Sequence, residues 1–375
     1  MILPDEILLL IASYLDVKDL ANCRSVCREL AAFCAHLIFR SGLSLLNTSV
    51  DLRDILKYLR CTDFANCPKK LTVYTARWRR CDRSEWKTHY LNMDEVSRAR
   101  LMSNRNLESA FAKYEIFLEL EERRTYESDV RAFGQVLTRL PNVESICISH
   151  LRCYSWNPLH HHRYSNLQKE IGISHDFDLD VEDTVQRFLE AFRGEFSQVR
   201  KLSILGSLDL AALEWDWSSR SFPSIRYLEV KSLYVYYNEK SVQDFLLAFP
   251  NLIQLSLRLD VKLSTYTLLG SLTWKCLRKL YLELIRSTEN DVFSIFTNHM
   301  GSLTKFYVRD SYLSDGSWQS FFTRIRDLRV QVDIEAEGKL SESTKVTFIE
   351  QPQKVRLASF LGDFTKPWPF ADTDM

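Results

Sequence analysis

Apolar residues recur with the period of an α-helix in the first forty positions of the chain. Pro4 stands where a helix starts, and Ile7, Leu8, Ile11 and Leu15 form one apolar stripe after it. The same spacing predicts two more short helices before residue 40. So short a segment buries too little surface to be stable alone, and we therefore expect a partner or the rest of the chain to cover part of the stripe.

A second hydrophobic pattern, apolar-x-x-apolar-x-apolar, repeats along the rest of the chain. Its copies start at Val143, Val199, Ile225, Leu252, Leu277, Leu303 and Ile325. From Val199 onward the starts lie 26, 27, 25, 26 and 22 residues apart. Helical patterns separate several copies, with Ser241, Asn290 and Ser317 in the position of N-caps. Three copies follow a proline and a small polar residue, at Pro141-Asn142, Pro223-Ser224 and Pro250-Asn251.

One strand and one helix per period of this length indicate an α/β fold built as an irregular leucine-rich-repeat solenoid. Its strands form a parallel sheet on the concave side, and its helices lie outside. The alternative is an ordinary α/β fold with coincidental spacing, which five nearly equal intervals disfavour. The predicted division is 1–42 for the N-terminal helical module, 43–135 for a helical linker with degenerate first repeats, 136–335 for the solenoid, and 336–375 for a C-terminal cap and tail.

Three sequence blocks stand out in the first of these segments, L-P-x-E-I-L-x-x-I-x-x-x-L from Leu3, then D-L at 19–20, then V-C-R at 26–28. With these blocks the segment resembles an F-box. The chain as a whole resembles fungal-type F-box substrate receptors. The resemblance implies that a Skp-type adaptor, and through it a cullin–RING scaffold, binds at Leu3, Pro4, Ile7, Leu8, Ile11, Leu15, Leu20, Val26 and Cys27.

The family pattern leaves an alternative open, in which several of these residues, above all Ile11 and Val26, hold the three helices together. The sequence also departs from the pattern at two points. The motif begins almost at Met1, and Ile38-Phe39 stands where a tryptophan is usual.

In a solenoid strand the residues between the leucines face the concave surface, because side chains alternate. The predicted substrate-binding residues on that surface are Lys201, Tyr227, Lys231, Arg258, Lys279, Tyr281, Lys305, Tyr307, Arg309 and Arg329. Counted over all concave positions, seven are basic and three, Glu229, Glu283 and Asp327, are acidic. This excess predicts that the strip binds an acidic or phosphorylated segment of a substrate protein. The alternative is a merely solvated sheet face.

Composition excludes several other classes of protein. The 375 residues contain 49 Lys and Arg and 49 Asp and Glu, so the chain has no overall field that would attract nucleic acid or an anionic membrane. No apolar run reaches eighteen residues, which excludes a membrane span. The nine scattered cysteines favour free thiols and hence a cytoplasmic or nuclear location.

Catalytic motifs are missing from the sequence, including G-x-S-x-G, a phosphate-binding glycine loop and H-E-x-x-H. His150, Cys153 and His160 to His162 are the one cluster that invites a metal, but their spacing fits no structural zinc pattern. We therefore predict a non-catalytic substrate receptor of a ubiquitin ligase, without metal or cofactor. A scaffold that acts without ubiquitin transfer is the first alternative, and a metal-dependent enzyme is the second.

Overall fold

The computed structural model describes residues 4–15, 17–23, 26, 28–38, 42–60, 65–75, 78, 80–91, 104–150, 167, 170–171, 182–192, 197–210, 216–234, 239–260, 268–342 and 346–370. The chain divides into two compact units, Met1–Val199 and Arg200–Met375. This boundary lies inside the range 136–335 that the repeat spacing assigns to one solenoid. The four-part division stays a prediction.

The N-terminal unit combines helices with a short parallel sheet. Its helices are α1 (Asp5–Ser13), α2 (Val17–Cys23), α3 (Arg28–Ile38), α4 (Ser49–Tyr58), α5 (Arg83–Leu91), α6 (Asn104–Glu122), α7 (Tyr126–Thr138) and α8 (Glu182–Ala191). Its strands β1 (Leu43–Leu46), β2 (Lys70–Thr75) and β3 (Ser145–His150) pair in that order, all parallel. The strand predicted from Val143 is thereby confirmed.

The C-terminal unit contains a larger parallel sheet. Its strands are β4 (Lys201–Asp209), β5 (Tyr227–Tyr234), β6 (Gln254–Asp260), β7 (Lys279–Glu283), β8 (Arg286–Thr288), β9 (Lys305–Arg309), β10 (Tyr312–Asp315), β11 (Asp333–Glu342) and β12 (Val346–Ile349). Within this unit the order is β4-β5-β6-β7-β9-β11-β10-β8, with β12 antiparallel to β11. Its helices are α9 (Glu239–Leu247), α10 (Glu289–His299), α11 (Trp318–Asp327) and α12 (Gln351–Gly362), with 3₁₀ turns at Trp217–Ser219 and Leu269–Ser271.

Equivalent positions of successive strands lie in register. The aligned first residues of β4, β5, β6, β7, β9 and β11 are spaced by 26, 27, 25, 26 and 28 residues. Alternate residues such as Leu228, Leu257 and Leu280 are buried on one face, as period-2 alternation requires. The strands predicted from Val199 to Leu303 are confirmed.

The small polar residue before several strands joins one repeat to the preceding one. The Asn142 side chain donates to the carbonyl of Asn66 at 2.7 Å, and that of Asn251 donates to the carbonyl of Pro223 at 2.9 Å. Ser302 donates its hydroxyl to the carbonyl of Leu277 at 2.8 Å. These bonds satisfy carbonyl groups that lie outside the regular strand pairing.

The seventh copy of the pattern is a wrong prediction. Ile325 lies in α11, where Trp318, Phe321, Phe322 and Ile325 follow helical spacing and are all buried. Two apolar residues three positions apart occur both in a helix and in the strand pattern. Here the helical spacing of apolar residues continues from Trp318 to Ile325, so the segment forms a helix. The strand that pairs with β9 is β11, and its Asp333 stands opposite Lys305.

The predicted helix caps are partly confirmed. Ser317 caps α11 by accepting a hydrogen bond from the backbone of Ser320. Thr288, not Asn290, caps α10 by accepting from the backbone of Asp291. Ser241 lies inside α9, which begins at Glu239.

Four strands of the C-terminal unit bend at matching positions. Ser232, Leu284, Asp310 and Gly338 each have a positive φ, and each directly follows the third outward-facing residue of its strand. At Gly338 a Cβ atom would stand 2.2 Å from the Asp310 carboxylate, so both the backbone angle and the space require glycine there. This repeated bend redirects β7 into β8 and β9 into β10.

Candidate protein-binding site

Helix α1 carries a row of exposed apolar side chains. Ile7, Leu10, Ile11 and Tyr14 follow the spacing of one helix face and are 41, 52, 47 and 82% exposed. The helix starts after Pro4, whose carbonyl accepts hydrogen bonds from the backbone of Ile7 and Leu8. We call Ile7, Leu10, Ile11 and Tyr14 the α1 stripe.

A separate small core holds the three helices together. Ala12, Leu20 and Cys34, one from each helix, are buried against one another. Half-buried side chains surround them, namely Leu15, Cys23, Leu37 and Ile38. This core is formed by side chains other than those of the α1 stripe.

The exposure of the predicted residues differs within the segment. Leu20, which the family pattern assigns to the adaptor, is only 4% exposed and belongs to the small core. The alternative in which Ile11 and Val26 hold the helices together stays open, with Val26 69% exposed and Ile11 47% exposed. Leu8 and Leu15 are half-buried.

Leu10 and Tyr14 belong to the exposed row but were not among the predicted adaptor-binding residues. Counting three, four and seven positions from Ile7 would have found them. The expected contacts at Leu3 and Cys27 lie outside the described residues.

A comparison with known protein families finds a match, and it covers the segment that carries the α1 stripe. Residues 1–41 match the F-box-like family. The F-box-like segment therefore covers the α1 stripe and the small core beneath it, and leaves the rest of the chain unassigned. A search of curated proteins finds no match to the chain.

The C-terminal unit presents a second surface on the polar side of its sheet. Three rows of outward-facing residues cross β5, β6, β7, β9 and β11. They are Tyr227, Gln254, Lys279, Lys305 and Asp333; then Glu229, Ser256, Tyr281, Tyr307 and Glu335; then Lys231, Arg258, Glu283, Arg309 and Glu337. Together with Lys201 and Ser203 of β4 we call these residues the polar face.

The polar face is less basic than the sequence predicted. Asp327, Arg329 and Gln331 do not belong to it, because the strand at this position is β11. Arg329 instead lies in the turn after α11, with its guanidinium 5.1 Å from the ring of Phe364. The face thus carries six basic residues against five acidic ones, where seven against three were expected.

Charges at the β9–β11 end of the polar face are paired within the chain. Lys305 contacts Glu335 at 2.8 Å and Asp333 at 3.4 Å, and the hydrogen bond to Glu335 raises the pKa of its ammonium group. The Tyr307 hydroxyl donates to Glu337 at 2.9 Å. Burial, followed by this hydrogen bond, raises the pKa of Tyr307. These side chains stabilise one another and are poorly available to a ligand.

Arg309 is likewise engaged. Its guanidinium contacts Glu283 at 3.7 Å and Asp310 at 3.1 Å. Glu337 stands opposite Arg309 on the neighbouring strand and contacts Lys354 at 2.9 Å. The hydrogen bond from Lys354 is the main cause that lowers the pKa of the Glu337 carboxyl. The expectation that Arg309 is a free binding residue is therefore not supported by its surroundings.

Over β5, β6 and β7 the polar face is more open. Arg258 and Lys279 form no ion pair with any residue that the structure describes, and Tyr227, on β5 of the same face, is 39% exposed. Lys201 and Lys231 share one carboxylate, Glu229, at 3.7 and 3.5 Å. Tyr281 packs near Tyr307 with the ring centres 5.8 Å apart. This part of the face therefore exposes cationic and aromatic groups to solvent.

Metal and membrane sites were also sought. Across the described ranges, no three His, Cys, Asp or Glu side chains are grouped so that they could hold a metal ion. The predicted metal cluster is not covered by this result. The side chain of His150 is not described, and Cys153 and His160 to His162 lie outside the described ranges. None of the helices in the described part of the chain combines the length and apolarity of a membrane span.

Proposed function

We propose that this chain is a substrate-recognition subunit of an SCF-type cullin–RING ubiquitin ligase. The α1 stripe carries the proposal, because it is an exposed apolar row on an F-box-like segment that already has a core of its own. An apolar row of this kind gains free energy when a partner removes it from water. A Skp-type adaptor is the partner that the family of this segment implies.

Co-purification with a Skp-type adaptor tests the proposal. The double variant Ile7→Glu/Leu10→Glu places two charges in the proposed contact, and a buried carboxylate without a partner is strongly unfavourable. We expect the variant to lose the adaptor while staying folded, because both side chains are about half exposed. Ile116→Glu is the matched control, since Ile116 is 59% exposed on α6, outside the F-box-like segment.

Retention of the adaptor by the double variant, or equal loss in the control, would contradict the proposal. Co-purification of a cullin with the adaptor separates a ligase subunit from the scaffold alternative. A cytoplasmic or nuclear location is part of the same proposal and follows from the free-thiol composition.

We further propose that the C-terminal unit is a degenerate leucine-rich-repeat receptor for the substrate. Support comes from the near-constant spacing of its register-matched strands and from the helices that separate several of them. The substrate is an acidic or phosphorylated protein segment, bound over β5, β6 and β7. Arg258, Lys279 and Tyr227 are the residues that bind it, because charge-assisted hydrogen bonds and exposed aromatic rings give interfaces most of their energy.

The receptor itself performs no chemistry in this proposal. It raises the local concentration of a substrate lysine near a ubiquitin-conjugating enzyme held in the same assembly. No metal or cofactor has a role in that function.

A further inference from the structure

A pocket lies between α4 and α7 of the N-terminal unit, and none of the residues that line it belongs to the α1 stripe or to the polar face. Its volume is about 400 Å³, within the range of pockets that bind small molecules. Residues from both helices line it, with Leu52, Leu56 and Ala132 as apolar contributors. Its polar lining is dominated by one sign of charge.

Five cationic side chains line this pocket. Arg53 and Lys57 lie one turn apart on α4, and Arg60 follows the end of that helix. Arg139 lies at the end of α7, and Arg124 precedes α7. The whole chain is neutral, so a local excess of this size is a feature of the pocket and not of the composition.

Arg124 is already used by the fold. Its guanidinium donates to Glu121 at 2.7 Å, to both oxygens of Asp129 at 2.9 and 3.0 Å, and to Asn47. Burial lowers the pKa of this group, but the charges of Glu121 and Asp129 outweigh burial and raise it. Arg124 therefore shapes the floor of the pocket and stays bound to its own partners.

The acidic groups near the pocket do not neutralise the other four cations. Asp129, the acidic residue in the lining, is fully engaged by Arg124 and Arg187. Asp54 contacts Arg53 at 3.8 Å and Lys57 at 3.5 Å, but these pairs are largely exposed, and exposed ion pairs are weak. Arg60 forms no ion pair with any described residue.

Arg139 also fixes the position of one pocket wall relative to the other. Its guanidinium donates to the carbonyl of Leu56 at 2.6 Å, which ties the end of α7 to the last turn of α4. The two helices that carry these cations are thus joined by a direct hydrogen bond. Walls that are already joined lose less entropy when a ligand binds between them than separate walls would.

We propose that this pocket binds a small anion with clustered phosphate groups, through Arg53, Lys57, Arg60 and Arg139. Arginine presents paired N–H donors that match phosphate oxygens, and lysine adds charge. The competing explanation is that the cations only offset the negative ends of the α4 and α7 dipoles. That explanation predicts an effect on stability and none on ligand binding.

Calorimetric titration of the full chain with sodium tripolyphosphate distinguishes the two explanations. We expect saturable one-to-one binding that weakens as ionic strength rises. Arg53→Ala/Arg60→Ala should weaken this binding at least ~10-fold, because both side chains are exposed and contribute only charge and donors. Arg131→Ala, an exposed cation of α7 outside the pocket, should change it less than ~2-fold.

Unfolding curves of the same proteins show whether the double variant stays folded. Absence of saturable binding to the wild-type chain would overturn the proposal. So would equal weakening by Arg131→Ala, because binding would then reflect general surface charge.

Discussion

The F-box-like segment and the C-terminal unit place their apolar residues in opposite ways. In α1, Ile7, Leu10 and Ile11 are about half exposed, whereas Leu257 and Leu280 of the sheet are at most 1% exposed. The sheet of the C-terminal unit therefore buries these leucines inside the unit and presents a polar face. The α1 stripe remains exposed to solvent in the structure. The comparison teaches that a pattern of leucines in the sequence does not show whether the leucines are buried in a core or exposed on a surface. The exposed fraction of each side chain in the structure distinguishes the two cases.

The largest difference in the free energy of unfolding should come from replacing one leucine by alanine in each of the two regions. Leu280→Ala removes a fully buried side chain, and we expect it to reduce the free energy of unfolding by about 2–5 kcal/mol. Leu10→Ala removes a half-exposed side chain from a helix that favours alanine, so its effect should stay within about 0.5 kcal/mol. Chemical denaturation of both variants measures the difference. Similar losses in the two would show that the α1 stripe is part of a core.

Adaptor affinity should rank these two variants in the reverse order. Leu10→Ala should weaken adaptor binding by about 1–2 kcal/mol, because a contact residue of that size is truncated. Leu280→Ala should leave it unchanged at temperatures where the chain stays folded. An unaltered affinity for Leu10→Ala would remove Leu10 from the contact.

Substitutions on the polar face should change the free energy of unfolding less, but they should specifically reduce the binding of substrate proteins. Arg258→Glu/Lys279→Glu should reduce the recovery of substrate proteins from cell extract, while unfolding changes by no more than about 0.5 kcal/mol. Quantitative mass spectrometry compares proteins recovered with the wild-type chain and with this variant. Lys240→Glu/Lys275→Glu, at exposed positions outside the polar face, is the matched control. Equal recovery by both variants would remove this part of the face from the proposal.

The repeating strands could be predicted from the sequence because their alternation is strict and their spacing nearly constant. The last strand was misplaced because Ile325 and Leu328 are three residues apart, a spacing that belongs to a helix and also occurs in the repeat pattern. That error also changed the expected charge of the polar face, since Asp333, Glu335 and Glu337 of β11 replace Arg329 and its neighbours.

The binding residues were harder to predict than the strands. Every position from Ile7 to Ala12 is apolar, so hydrophobicity could not separate Leu10 on the outside from Ala12 in the core. That separation depends on where α2 and α3 pack. Ion pairs such as Arg309 with Glu283 also join strands 26 residues apart, and no local pattern shows them.

Hydrogen exchange of the free chain and of its complex with a Skp-type adaptor tests the central claim most directly. The α1 stripe should be uncovered in the free chain and covered in the complex. The account predicts at least ~10-fold slower amide exchange for residues 5–14 on adaptor binding, with no change over Lys279–Glu283. Unchanged exchange at residues 5–14 in a complex that demonstrably forms would contradict it.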